Sequence, residues 1–426
     1  MSSGLRTNDA GISCDVLVIG GGAAGVAATT AAGRAGAQVV LLERYGFLGG
    51  LATTAHVGTV CGLYLRDSAH AQATPVVGGF VREFASRLQR AAGREPMRLE
   101  AGLWVLPFST GAFARVADAI VGESGNVTLV LHATVAEART DGPRLVEVRA
   151  LAWNERLLVR AGAVVDCSGE ATVAALARAA VEDGAADQVP ALIFTLEGID
   201  PTLAERGLLE VRRELRRAVE QGRLPAACER LSLVPGTGGD GCLALKLNLP
   251  PAESGRPPWQ QVTAWERKAR ALVDELHRFL VENITSCRNA RLGAVAPQLG
   301  IRSGRRIRGR ARLTDEDVLG TRKTALGIAR GCWPMERWGD CLRPEMVYFD
   351  ERDYYEIPLD CLRPVELDNV LVAGRCFCAE AGAMSSARVI ATALATGWAA
   401  GTAAAFQASG RPANEAVEAI RKQMDQ

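Results

Sequence analysis

The sequence predicts an α/β fold: a parallel sheet, begun near the N-terminus and completed near the C-terminus, interrupted by an inserted α+β domain. Three observations predict it. Residues 14–20 (Cys-Asp-Val-Leu-Val-Ile-Gly) form a near-continuous apolar run, as expected of a parallel strand covered on both faces. The small-residue stretch from Ala23 to Arg34 and a second apolar run from Gln38 to Leu42 complete a βαβ unit. From about residue 183 the texture changes to alternating strands and amphipathic helices, and it reverts at Asn369 to Ala373, a buried strand ahead of an Ala- and Gly-rich helix over 386–407.

The remaining elements follow in chain order. Helical patterns cover 78–93 and 110–124, and a strand is expected over Val127 to Ala133. Residues 144–152 and 156–160 read as a hairpin, 163–166 as a separate short strand, and 171–180 as an Ala-rich helix. In the insertion, 190–197 and 241–248 alternate like half-buried strands. A charged helix over about 203–221 places Leu208, Val211, Leu215 and Val219 on one face. A second, over 259–284, does the same with Trp265, Leu272, Leu276 and Phe279. The Pro/Gly-rich stretch 249–258 reads as a loop. The expected division is 1–182, an inserted domain at 183–350, and a return at 351–426.

Composition limits the function. The 426 residues are 48% hydrophobic and 23% charged, which excludes general disorder, collagen-like repeats and coiled coil. Lys and Arg number 49 against 48 Asp and Glu, so the chain lacks the basic footprint of a nucleic-acid binder. Aromatics at 5% offer no stacking platform for single strands. Eleven cysteines do not form the dense, paired framework of a small secreted domain. The polar stretch Met1 to Ser13 predicts no signal peptide, and no apolar run predicts a membrane span. The expected setting is the reducing cytoplasm, with no metal site.

The strongest motif is Gly20-x-Gly22-x-x-Gly25 between strand and helix. The first glycine permits the tight turn, the second a close approach of pyrophosphate to backbone, and the third close helix–strand packing. The phosphates would sit at the positive helix N-terminus. Glu43, at the end of the next strand, is placed to accept the two ribose hydroxyls of an adenosine. A second backbone approach at Gly49-Gly50 with Thr53, and the return of the chain through Leu371-Val372-Ala373-Gly374-Arg375, favour FAD over NAD. Gly236 to Gly241 lies between two strands rather than before a helix and reads as a turn, so a second dinucleotide domain is not expected.

Further matching pieces are Leu51-Ala52 after Gly50, Val165-Asp166-Cys167-Ser168-Gly169-Glu170-Ala171, Gly300–Ile307 with Leu313–Val318, and Ile357-Pro358 through Gly401-Thr402-Ala403. With the glycine motif and Glu43, they resemble the FAD-dependent oxidoreductases of the glutathione-reductase-type superfamily. The closest likeness is to a bacterial family distantly related to fumarate reductase flavoproteins and to the flavin domain of heterodisulfide reductase. The resemblance spans nearly the whole chain and implies a Rossmann-like FAD-binding domain. It places Gly20, Gly22, Ala24 and Gly25 at the pyrophosphate, Glu43 at the adenosine ribose and Arg44 beside the adenine. Gly49, Gly50, Leu51 and Thr53 would run along the pyrophosphate and ribityl chain. Val135 would meet the adenine, Ser168 and Gly169 would line the adenosine side, and Gly374 and Arg375 would approach the ribityl. Ser386 to Val389 would start the last helix at the flavin's pyrimidine edge, where a helix N-terminus stabilises negative charge. The chain departs from the family pattern at Cys378, Ala381-Gly382 and Ser303-Gly304, so the resemblance names no substrate.

The implied reaction is hydride transfer between a small organic substrate, of CH–OH or CH–NH type and carboxylate-bearing, and N5 of the flavin. Reduction of an activated C=C bond and electron transfer by an FAD-bearing subunit without its own substrate remain alternatives. The electron acceptor (oxygen, a quinone or a redox protein) and a homodimeric state are left open. The candidate catalytic residues are His56, as base or flavin attachment point, and Arg302 and Arg305 from the arginine run 302–312, for a substrate carboxylate. Lys246 and Arg388 are lesser candidates. Cys61, Tyr64 and the pair Cys376 and Cys378 read more simply as packing residues.

Overall fold

The computed structural model describes residues 11–184, 188–201, 203, 208–239, 241–251, 257–338 and 343–426. The first apolar run forms the strand Ile12–Ile19, whose last four residues are buried. It pairs in parallel with Val39–Leu42 on one side and Glu155–Asp166 on the other. Val127–Val130 and Val370–Val372 extend these two edges, also in parallel. The expected α/β class is therefore the one observed, including the C-terminal return.

Two strands expected separately, 156–160 and 163–166, are one continuous strand, Glu155–Asp166. Its first half pairs antiparallel with Arg144–Ala152, which pairs in turn with Ala133–Asp141. Its second half lies in the parallel sheet. The two neighbours sharing its edge meet at the buried Asn369, which accepts a hydrogen bond from Leu145 N–H (2.8 Å) and donates to the Leu145 (2.9 Å) and Gly162 (3.3 Å) carbonyls. The junction therefore leaves none of these buried backbone groups unpaired. The expected strand to Ala133 stops at Val130, with His132 at φ 54°. The expected helix 171–180 is only Thr172–Leu176.

The helix expected over 386–407 is also divided, and a further helix, Ala413–Met424, follows it. Ala381–Ala387 and Ile390–Ala408 meet at a 94° bend around Arg388 and Val389. Among the described residues no single helix is long and apolar enough to cross a membrane. The segment Ile390–Ala408 lies against the first helix, Ala23–Arg34, through glycines: a Cβ on Gly397 or Gly401 would stand 2.1 Å from the carbonyl oxygen of Ala24 or Ala28.

The inserted region holds a four-stranded antiparallel sheet in the order Leu231–Leu233, Cys242–Asn248, Ala191–Glu197, Arg291–Val295. The period-2 alternation divides its faces. Leu192, Phe194, Leu196, Leu243, Leu245 and Leu247 are buried under the helices Leu209–Glu220 and Pro258–Asn283. Ile193, Lys246 and Asn248 lie on the opposite face, which borders a cavity. Of the expected helix over 203–221, residues 204–207 lie outside the described residues, as do 252–256 of the expected loop and Asp240 of the Gly236 turn. Leu313, Val318 and Ile328, expected within the insertion, are buried with Tyr355 and Ile357 in the same core as Val16, Leu41 and Leu394. The ten described cysteines are free thiols, and Cys341 lies outside the described residues.

Candidate active site

The strand Ile12–Ile19 ends on Gly20, at φ +91°, where a Cβ would stand 2.6 Å from the Cys167 carbonyl oxygen. The helix that follows is capped by Gly22 with no side-chain hydrogen bond. Its first N–H groups therefore remain available to an anion. Gly49 and Gly50, both at positive φ, bring a second loop against this turn. The Gly49 N–H donates to the Gly21 carbonyl (2.8 Å), and a Cβ on Gly50 would stand 2.8 Å from the Gly22 Cα. The result is a groove of about 240 Å³ with a floor of bare backbone.

Most of the residues expected at the cofactor line this groove: Gly20, Gly22, Ala24, Glu43, Arg44, Gly49, Gly50 and Leu51, and further along Val135, Ser168, Gly169, Gly374 and Arg375. Four do not. Gly25 packs helix on turn, since its Cβ would lie 1.7 Å from the Gly20 carbonyl oxygen. Thr53 is buried and its hydroxyl donates to Gly50 O, while its neighbour Thr54 borders the groove. Ser386 is sealed in the core against Tyr355 and the Trp333 carbonyl. Val389 faces a second cavity, and it is Ile390, just past the bend, that opens the helix Ile390–Ala408 onto the groove. Glu43 is turned inward, accepting the N–H groups of Gly21 (2.5 Å) and Tyr45 (2.8 Å). Burial raises its pKa against these bonds.

The second cavity, of about 800 Å³, adjoins the groove and shares Leu51, Ala52, Arg375, Arg388 and Ile390 with it. Its wall gathers Lys246 from the inserted sheet, Arg302, Glu336 and Arg388. Arg388 donates to the Glu336 carboxylate (2.6 Å), which also accepts the indole N–H groups of Trp333 (3.0 Å) and Trp338 (3.2 Å). Arg302 lies over the Trp338 ring at 4.5 Å and donates to Asn248 (2.9 Å) and to the Val189 carbonyl. The buried Nε of Arg388 has no hydrogen-bond partner among the described residues.

This concentration of charge displaces the titrations of Lys246, Arg302 and Glu336. Burial, and after it the charge of Arg302, pull Lys246 down to about 8, against Glu336. Burial and the charge of Arg388 lower Arg302 to about 10. Burial acts to raise Glu336, but Arg388, Arg302, the Trp333 N–H and Lys246 outweigh it and hold the carboxyl below its ordinary value.

The FAD-dependent oxidoreductase family model matches residues 15–424. The chain belongs to that family. Its cofactor is FAD, and the groove fits it: an uncapped helix start, two glycine loops in contact and a carboxylate at the end of the second strand. Among curated proteins no sequence matches this one. Among solved structures, the flavin-dependent brominase Bmp2 is similar at 14% identity and a TM-score of 0.51, over 96% of this chain and 83% of that one. A geranylgeranyl bacteriochlorophyll reductase-like protein from Thermoplasma acidophilum matches at 13% identity and a TM-score of 0.46, over 96% and 82%. The likeness to the brominase is one of fold.

Of the residues expected to be catalytic in this oxidoreductase, Arg302 lies in the cavity wall. His56, at φ +52°, borders neither the cavity nor the groove, and burial lowers its pKa. Arg305 borders neither, and its backbone N–H reaches Glu170. Of the rest of the arginine run, Arg306 is buried in the strand Arg306–Ile307, Arg308 is exposed, Arg310 pairs with Asp368 and Arg312 with Glu182. Cys61 lines the cavity, with its thiol pushed up to about 11 by burial. Cys376 and Cys378 are buried packing residues. Glu336, Trp333 and Trp338 carried no signal in the sequence, because nothing in their local spacing marks them.

Proposed function

We propose that this oxidoreductase oxidises a small carboxylate-bearing substrate at a CH–OH or CH–NH carbon, in the cavity beside the FAD groove. The observation that carries this reading is the convergence of Lys246, Arg302 and Arg388 on that cavity where it meets the groove. Arg388 borders that cavity beside Glu336, and a planar guanidinium suits a carboxylate. Arg375, tied to the Gly169 carbonyl (2.8 Å) and Glu170 (2.7 Å), would hold the wall between cofactor and substrate. When bound, FAD supplies the two-electron acceptor for the hydride leaving the substrate carbon.

Lys246 takes the place expected for His56. Its amine, pulled down to about 8, is the group that would accept the proton of the substrate O–H or N–H as the C=O or C=N bond forms. Glu336 would keep Arg388 aimed and hold two indoles at the reacting end. The kinship with fumarate reductase flavoproteins and with the flavin domain of heterodisulfide reductase belongs to this same reading.

The test is anaerobic mixing of the holoenzyme with panels of hydroxy acids and amino acids, following loss of flavin absorbance. A reducing substrate should bleach the flavin with a rate that rises through pH of about 8 as Lys246 loses its proton. Lys246→Met should slow bleaching by about 10²–10⁴-fold, the usual contribution of a general base. Bleaching by neutral alcohols and amines but not by acids would overturn the carboxylate assignment. Reoxidation of reduced enzyme by an unsaturated acid, with no bleaching by any saturated one, would favour the reverse reaction.

A further inference from the structure

The 800 Å³ cavity has two ends, identified by the walls it shares. At one end Arg375, Arg388 and Ile390 are common to it and the FAD groove. At the other, Arg212, Glu229 and Arg343 are common to it and an outer pocket of about 460 Å³, completed by Arg216. The wall of the same cavity also carries the apolar Leu99, Leu103, Val234 and Met346, alongside Glu100, Arg230 and Ser232.

The outer end is built around arginines. Arg212 and Arg216 stand one turn apart on the helix Leu209–Glu220, on the flank of its buried face of Val211, Leu215 and Ala218. Like charges at this spacing disfavour a helix. Arg216 is offset by Glu229 at 3.9 Å. Arg212 and Arg343 make no ion pair or hydrogen bond among the described residues, although both border the cavity. Burial lowers the pKa of Arg212, and the charge of Arg343 lowers it further, outweighing Glu100. The fold thus brings two arginines from separate segments to one opening and, among the described residues, leaves them facing each other without a paired counter-ion.

We infer that this opening is an anion site, and that the substrate is an extended molecule with a second anionic group, carboxylate or phosphate, held by Arg212 and Arg343 at the end remote from the flavin. The apolar part of the wall would take the carbon chain between the two charges. This rests on the reading that the first carboxylate lies at Lys246, Arg302 and Arg388. It adds that one anionic end is not enough for full affinity.

The experiment titrates the FAD-loaded protein with straight-chain monocarboxylates and α,ω-dicarboxylates of equal length, from four to ten carbons, and with the corresponding ω-phosphonocarboxylates. Binding is followed by the shift of the flavin spectrum and by thermal unfolding. At the matching chain length a second anion should tighten binding by about tenfold or more, the scale of a charge-assisted hydrogen bond. Arg212→Gln with Arg343→Gln should close the gap between the two classes of ligand. A stronger effect of the phosphonate identifies a phosphate-bearing substrate, and equal effects a second carboxylate. No gap at any length, or a gap that survives the double variant, overturns the proposal while leaving the inner site standing. Failure of every mono- and dicarboxylate to bind overturns the inner site and the outer one with it. Monocarboxylate binding unaltered by Arg302→Gln refutes the inner assignment alone.

Discussion

Replacing Gly401 with alanine tests how the two helices that open onto the FAD groove are held together. Gly401 lies in Ile390–Ala408, and its added Cβ would stand 2.1 Å from the Ala28 carbonyl oxygen and 2.7 Å from the Ala28 carbonyl carbon and Cα. Every obstacle is backbone, so no rotamer change relieves the clash. Restoring an ordinary contact requires the helices to part locally by about 1.3 Å in a close-packed interior. Overpacking of this kind costs about 1–3 kcal/mol, and a backbone obstacle puts it at the upper end. Alanine's better helix propensity returns about 1 kcal/mol, leaving a net loss of about 2 kcal/mol by the same estimates. The displacement also spreads the helix starts at Ala23 and Ile390, which both border the groove. Gly401→Ala should therefore unfold at lower denaturant concentration and purify with less FAD per chain. The assay is denaturant unfolding followed by tryptophan fluorescence, with flavin content measured by absorbance. Gly122→Ala is the control, since a Cβ there meets nothing within 4 Å. A Gly401→Ala protein with full flavin content and parental stability would refute the reasoning.

Other predictions follow from the same geometry. Glu336→Gln removes the anion that supports the Lys246 charge, so the pH midpoint of substrate-driven flavin bleaching should move below its parental value of about 8, with weaker carboxylate binding as Arg388 loses its anchor. An unmoved midpoint would separate Lys246 from the proton transfer. Asn369→Ala removes the side-chain partner of the buried Leu145 N–H and carbonyl, and should cost about 2–3 kcal/mol in denaturant unfolding. Acid precipitation should release the flavin into the supernatant from both the parent and Cys61→Ser, because the Cys61 thiol stays protonated at neutral pH. Flavin retained in the parent pellet but released from the variant would show a covalent bond at this thiol.

Much of the cofactor groove was legible because it is built locally. Gly20, Gly22 and Gly25 are adjacent in sequence, their roles depend on the backbone of one turn, and Glu43 follows one crossover later. The misplaced expectations fall at the margin of the groove: Thr53 and Thr54 are both buried with hydroxyls on the Gly50 carbonyl, though only Thr54 borders the groove, and Ser386 is sealed in while Ile390, past the bend, is presented. The composition of 386–407 suits a single helix, and the bend at Arg388 and Val389 is an event of packing.

By itself the sequence determined the α/β class, the glycine turn at Gly20 to Gly25, the C-terminal return and the two-faced strands of the insertion, since periodicity and glycine spacing are properties of neighbouring residues. Only the tertiary structure decided which charges meet. Lys246, Arg302, Glu336 and Arg388 come from four segments and become one site because the inserted sheet turns the face that bears Lys246 and Asn248 toward the sharp bend before Ile390–Ala408. His56 shows the converse: it follows the glycine loop closely in sequence, yet its left-handed backbone carries it away from both cavities. The physical reason is range. Backbone geometry acts over a few residues, whereas burial and Coulomb interaction act between whatever the fold brings close.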